Sequence, residues 1–99
     1  MTSYRLVVDQ PADVDITSAF EWYERERAGL GDVFLGELRE TFDRVVAGPL
    51  SYQELRSGIH RALTHRFPYA VYFLIDDDRI VVIAVLHARR DPAAWQRRA

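Results

Sequence analysis

Phe67-Pro68-Tyr69-Ala70-Val71-Tyr72-Phe73-Leu74-Ile75-Asp76-Asp77-Asp78-Arg79-Ile80-Val81-Val82-Ile83-Ala84-Val85-Leu86-His87 is the stretch that decides the fold. Its two apolar runs, Ala70 to Ile75 and Ile80 to Leu86, are β-branched and aromatic and too short for two helices. An acidic turn, Asp76-Asp77-Asp78-Arg79, separates them, so they predict a β-hairpin. The second run is apolar on both sides, which predicts the central strand of a sheet. It closes on His87, with Arg89 and Arg90 just beyond, where apolar character stops. Polar chemistry is expected at that end of the hairpin, on a rigid scaffold.

Upstream of the hairpin, Ile59 to Phe67 alternates: Ile59, Arg61, Leu63, His65 and Phe67 share one face, and His60, Ala62, Thr64 and Arg66 the other. Both faces mix apolar and basic residues, so the pattern leaves open which is buried. Residues 50 to 58 read as irregular, held down by Tyr52 and Leu55, with Ser57-Gly58 opening the next strand. Before them, Phe34, Leu35, Leu38, Phe42, Val45 and Val46 form one stripe of a helix from about Asp32 to Ala47, opposite Glu37, Arg39, Glu40 and Asp43; Gly48-Pro49 stops it. An earlier helix begins near Pro11, with Asp13 and Asp15 complementing its positive end, and carries Ile16, Ala19, Phe20 and Tyr23 to about Arg27. Gly29-Leu30-Gly31 links the two helices into an antiparallel hairpin. Tyr4 to Val8 is a short first strand, and Pro92 with Trp95 marks a short C-terminal helical tail. The expected order is β-α-α-β-β-β, an α+β fold. A helical hairpin packs on one face of a twisted, mainly antiparallel sheet, the other face at least partly open.

At 99 residues the chain is expected to be a single domain, residues 1–99, so function sits on the folding unit itself. A hydrophobic share of 48% with 28% charged residues is that of a globular protein that folds without a cofactor. There is no Cys, which excludes disulfides and thiolate zinc sites, and the three His lack metal-ligand spacing; no metal is expected. No run has signal-peptide or membrane-spanning length, so the expected location is the cytoplasm. Charge is uneven: residues 1–49 carry five Arg against ten acids, residues 50–99 eight Arg against five, and no Lys occurs anywhere. A dipolar chain with Arg on its sheet half favours nucleic acid or an acidic partner there.

His87 falls in phase with Val81, Ile83 and Val85 and precedes Arg89 by two residues. A His so placed can act as a general acid or base beside cations that hold a phosphate; equally it can be a strand-end side chain bonded to backbone. Arg61 and Arg66 lie an odd number of positions apart, on opposite strand faces, so only one can join His87, and Arg61 is the expected one. Trp22-Tyr23 and Trp95 offer rings for stacking bases, and equally for core or lid packing. Asp76 to Asp78 point in different directions around a turn and read as solvated rather than as a metal cluster.

Several short pieces occur in one order: Pro11-Ala12-Asp13, Trp22-Tyr23, Gly29-Leu30-Gly31, Phe34-Leu35 with Glu37-Leu38, and Pro49 before Tyr52. Arg66-Phe67-Pro68-Tyr69 with Val71-Tyr72 follows, then Ile83-Ala84-Val85-Leu86-His87-Ala88-Arg89-Arg90-Asp91-Pro92 and Trp95. Together they resemble the RelE/ParE superfamily of toxins from bacterial type II toxin-antitoxin pairs, over essentially the whole chain. The resemblance implies a growth-inhibiting, plasmid-stabilising toxin wrapped and neutralised by the extended and helical C-terminal segment of a cognate antitoxin, in a hetero-oligomer. RelE-like members cut messenger RNA in the ribosomal A site with basic residues on the open sheet face; ParE-like members poison DNA gyrase. This chain has no Lys and no Tyr or Phe after Phe73, and its helical hairpin and Arg89-Arg90-Asp91-Pro92 tail resemble the ParE-like branch more. The leading expectation is therefore a gyrase poison. The alternatives are a ribosome-dependent endoribonuclease using His87, Arg61 and Arg89, or a non-toxic binding module. Arg66, Arg90, Trp95, Trp22 and Tyr23 are the expected contacts to target or antitoxin.

Overall fold

Asp9 closes the first strand, β1 (Arg5–Val8), and turns the chain directly into helix α1 (Gln10–Glu26), in a computed structural model that describes residues 3–90 and 92–98. Pro11 lies in the first turn, where its missing N–H forfeits no helical bond. Gly29, at φ 89°, caps helix α2 (Leu30–Ala47) from the left-handed region and lets the chain reverse within three residues of Glu26. The helices touch at Gly31: a β-carbon there would lie 2.7 Å from both Phe20 Cδ1 and Glu24 Cγ. The Glu24 carboxylate in turn accepts the Gly31 N–H at 2.9 Å, satisfying one of the orphan donors of the α2 N-terminus.

A single 3-10 turn, Pro49–Ser51, leads to a strand that the sequence pattern left irregular, β2 (Glu54–Arg56). Ser57 and Gly58, both at positive φ, turn it into β3 (Ile59–Leu63). That strand stops before Phe67 because the Thr64 hydroxyl donates to the Phe67 and Tyr69 carbonyls at 2.5 and 3.2 Å, closing a turn in place of a ladder. The hairpin β4 (Tyr69–Asp76) and β5 (Arg79–His87) follows. The Arg79 guanidinium bonds Asp76 at 2.8 Å across its two-residue loop. Strand order is β1-β5-β4-β3-β2, with β1 parallel to β5 and every other pair antiparallel. The middle strand is thus β4, a correction to the assignment of β5 to the centre, although β5 is also paired on both sides.

Both helices lie on one sheet face, where Phe34, Leu38, Val45, Val71, Phe73 and Val82 form the main core. The opposite face carries a second cluster of Ile59, Tyr72, Ile83 and Leu86, and the tail helix α3 (Ala93–Gln96) drops Trp95 onto it. The face expected to be at least partly open is covered in part, by α3. Asp91 lies outside the described residues, so the structure speaks to the rest of the Arg89-to-Pro92 tail only.

A bulge in β5 governs which side chains face which way. Tyr72 pairs with Ala84 and Phe73 with Val82, leaving Ile83 as the extra residue. Ile80 and Val82 face the helices before the bulge, and Val85 does so after it, while Ile83 and Ala84 both join the opposite cluster. The phase of the strand flips at that point. A second departure concerns Glu37, placed by its spacing on the solvent face of α2 but buried in the structure. It lies three residues from Phe34 and four from Thr41, inside the buried stripe.

Candidate functional site at the end of the sheet

At the C-terminal end of β5, His87 pairs with Tyr69 and their rings meet edge to face at 5.8 Å. Its Nδ1 accepts the Arg89 main-chain N–H at 3.1 Å, which fixes the neutral ring as the Nε2–H tautomer. Around it opens a cleft of about 390 Å³ between the sheet end and α1, bordered by Asp15, Ser18 and Trp22 on the helix and by Tyr69, His87 and Arg90 opposite. Asp15, Ser18 and Trp22 recur at helical spacing, so α1 presents them as one stripe toward the cleft. Trp22 is 53% exposed there.

Asp15 organises this end of the molecule. Its Oδ2 accepts the Val85 main-chain N–H at 3.0 Å, just past the bulge, and both carboxylate oxygens accept from the Arg98 guanidinium. Arg98 also donates to the Ile83 carbonyl at 3.2 Å. β1 stops at Val8 opposite Val82, so beyond Val82 β5 is paired with β4 on one side and, among the described residues, has no strand on the other. Side chains from α1 and the C-terminal tail take over those backbone bonds, as buried polar groups require. Neither role is legible in the sequence, where spacing marks Asp15 only as a helix-end charge and gives Arg98 none, because their partners lie 70 and 83 residues away.

The other predicted residues are dispersed. Arg61 pairs with Tyr72, and cross-strand partners share a face, so Arg61 lies on the α3 side of the sheet while His87 lies on the helix side. The bulge at Ile83 is the reason, and the expectation that Arg61 joins His87, with His87 in phase with Val81 and Ile83, is corrected. Arg66 does not reach His87 through β3 either, because that strand has ended. Its main-chain N–H and its Nε, the latter at 3.1 Å, both donate to the Glu37 carboxylate. The Arg66 main-chain N–H foremost, with the guanidinium, holds the Glu37 carboxyl below its ordinary value against the opposing effect of burial. The Arg66 side chain stays 71% exposed and Glu37 only 4%.

Arg89 and Arg90 are exposed and form no ion pair among the described residues. Tyr23 packs at 5.3 Å on Phe34 and at 4.8 Å on Phe67, closing the aromatic core beneath the cleft. Burial raises the Tyr23 and Tyr69 hydroxyls above their ordinary value, Arg90 drawing Tyr69 partly back, so both remain neutral donors at physiological pH. Trp95 is 6% exposed and stacks on Tyr72 at 5.1 Å with 15° between the planes. It therefore supports the α3 side of the sheet from within. Among the described residues no cluster of His, Asp or Glu is arranged to hold a metal, and no helix is long and apolar enough to cross a membrane.

The family model described as the ParE toxin of type II toxin-antitoxin systems, parDE, matches residues 6–92. Among solved structures, the chromosomal ParDE toxin-antitoxin system from P. aeruginosa contains a chain with the same fold, at a TM-score of 0.77 and 11% identity. The match covers 86% of this chain and 96% of that one. No curated protein matches the sequence.

Proposed function

Because this chain belongs to the ParE toxin family of type II toxin-antitoxin systems, we propose that it arrests growth by binding and poisoning DNA gyrase in the cytoplasm. In this reading a cognate antitoxin holds it inactive in a hetero-oligomer. The observation that supports a binding toxin over a nuclease is the separation of His87 from Arg61 by the thickness of the sheet. General acid-base cleavage of RNA needs a proton-transfer group and a phosphate-holding cation at hydrogen-bond reach of one scissile bond. Here Arg61 faces the Trp95 side and Arg66 is bonded to Glu37, which leaves His87 with the exposed Arg89 and Arg90 alone. A binding toxin needs no such constellation, only exposed arginines and aromatics on a rigid frame.

Induction of the chain alone, followed by measurement of gyrase-linked DNA breaks and ribosomal A-site cuts in the same cells, tests the proposal. Growth arrest with accumulated cleavage complexes, unchanged by His87→Ala, is the expected result. Saturating purified toxin that leaves gyrase supercoiling and cleavage-complex levels untouched overturns it. A-site cuts lost in His87→Ala move the assignment to a ribosome-dependent endoribonuclease.

A further inference from the structure

The two sides of the sheet carry opposite charge. Helices α1 and α2 hold nine of the chain's fifteen acids on the side where they pack. Glu54 belongs to that side too, its carboxylate 4.0 Å from Nε2 of His60, whose ring stacks on Phe73 of the main core. Strand register fixes what lies on the α3 side. Arg56 pairs with Ile59 and Arg61 with Tyr72, both members of the cluster under α3, and cross-strand partners share a face. Arg79 pairs with Asp76, two residues past Leu74, which packs on the same cluster, and Arg5 lies beside Arg79. Of these four arginines Arg79 is neutralised, by Asp76. The guanidiniums of Arg5, Arg56 and Arg61 have no partner among the described residues.

A cleft of about 180 Å³ opens at one corner of this face, lined by Arg56, Ser57, Ile59 and Gln96. Ser57 stands at φ 54° in the tight turn between β2 and β3, and α3 brings Gln96 to the same cleft from the far end of the chain. A guanidinium, a hydroxyl and a carboxamide are thus gathered there, and no carboxylate lines the cleft. A phosphate presents acceptor oxygens on every side and is held by this mixture of Arg, Ser and Gln donors. Arg61 follows on β3 two residues beyond Ile59, about 7 Å further along, where it can hold a second phosphate.

The aromatic residues decide between a duplex and a single strand. Binding of a single strand rests on rings that stack its bases. On the α3 side Tyr72 and Trp95 stack on each other and are 1% and 6% exposed, so neither ring is free for a base. A duplex keeps its bases inside and offers its backbone instead. The net charge of −2 opposes its approach everywhere except from the side that carries the unpaired arginines.

We propose that the α3 side of the sheet binds duplex DNA through its phosphate backbone, with one phosphate seated among Arg56, Ser57 and Gln96 and a neighbouring one at Arg61. The contact reads no sequence, and it stands on this face alone, whether or not the chain acts on gyrase.

The full-length, 15N-labelled chain titrated at low salt with a mixed-sequence 20-base-pair DNA duplex, without gyrase or antitoxin, tests this. Expected are shifts of the Arg56, Ser57 and Arg61 amides and of the Gln96 side-chain NH2, with an affinity that falls steeply as salt is added. Arg56→Gln with Arg61→Gln should weaken binding by about tenfold or more and flatten the slope of log K against log salt by about two. Arg56→Lys with Arg61→Lys, which keeps both charges, should retain that slope, and Arg25→Gln on exposed α1 should change nothing. Melting curves establish that each variant is folded. Equal binding by the Gln pair, loss of the slope in the Lys pair, shifts centred on α1 or α2, tighter binding of single-stranded RNA, or the same shifts from inorganic phosphate at equal phosphate concentration each overturns the proposal. Absence of any shift at saturating duplex does so too.

Discussion

Glu37→Gln removes the one negative charge buried between α2 and the loop that joins β3 to β4. The carboxylate accepts two bonds from Arg66, to its main-chain N–H and to its Nε, and is itself 4% exposed. A glutamine oxygen retains the main-chain bond in neutral form, but its NH2 group then faces the Nε–H donor and that bond is lost. Removing a charge-assisted bond costs about 1.5–3 kcal/mol. The Arg66 guanidinium, 71% exposed, recovers water on release, which lowers the cost to roughly 1–2 kcal/mol. For a domain of this size that is a fall of roughly 5–10 °C in Tm at neutral pH. The pH dependence discriminates the cause. Arg66 depresses the folded-state value of Glu37, so its contribution is fully present above the unfolded-state value and is lost as pH falls through the folded one. A protonated Glu37 resembles Gln, and the gap between variant and wild type should close in acid. Thermal melts of both proteins at neutral pH and at stepped values down the carboxylate range measure it. A gap that stays constant throughout, or is absent at neutral pH, refutes the account of Glu37 as a charged anchor of the Arg66 loop.

Asp15→Ala should destabilise by about 2–4 kcal/mol in chemical denaturation, because it strands the Val85 N–H and leaves Arg98 uncompensated, and the Val85 amide should lose its exchange protection. Arg98→Ala removes both bonds to Asp15 and the one to the Ile83 carbonyl and should cost about 1.5–3 kcal/mol, but it leaves the Asp15–Val85 bond in place, so the Val85 amide should stay protected. Gly31→Ala should cost about 1–3 kcal/mol by forcing a β-carbon into Phe20 and Glu24, whereas Gly36→Ala, with nothing within 4 Å, should stabilise by about 0.5–1 kcal/mol; paired melts decide between them. An equal effect at the two glycines would remove Gly31 as the point of helix contact.

Much of this protein was determined by its sequence alone. Phe34, Leu38 and Val45 at helical spacing, Pro11 and Gly48-Pro49 at helix ends, and the two β-branched runs around Asp76 to Asp78 each encode their element within a few residues. Those signals suffice for the helical hairpin, the β4–β5 hairpin and, through the ordered pieces from Pro11 to Trp95, the toxin family. Which face each residue occupies was decided by tertiary structure. One bulge at Ile83 moves His87 to the opposite side of the sheet from Arg61, and strand periodicity cannot foresee it, because a single extra residue inverts every later side chain. The bonds that satisfy the bulged edge come from Asp15 and Arg98, distant in sequence and close only once the chain has folded. Trp95 and Glu37 are buried for the same reason, each covered by an element that local spacing cannot place: the sheet face under α3 and the loop around Arg66. Local periodicity therefore names the elements of this toxin. The pairing of residues far apart in the chain makes its cleft at the end of β5, bounded by His87, Arg90 and Trp22.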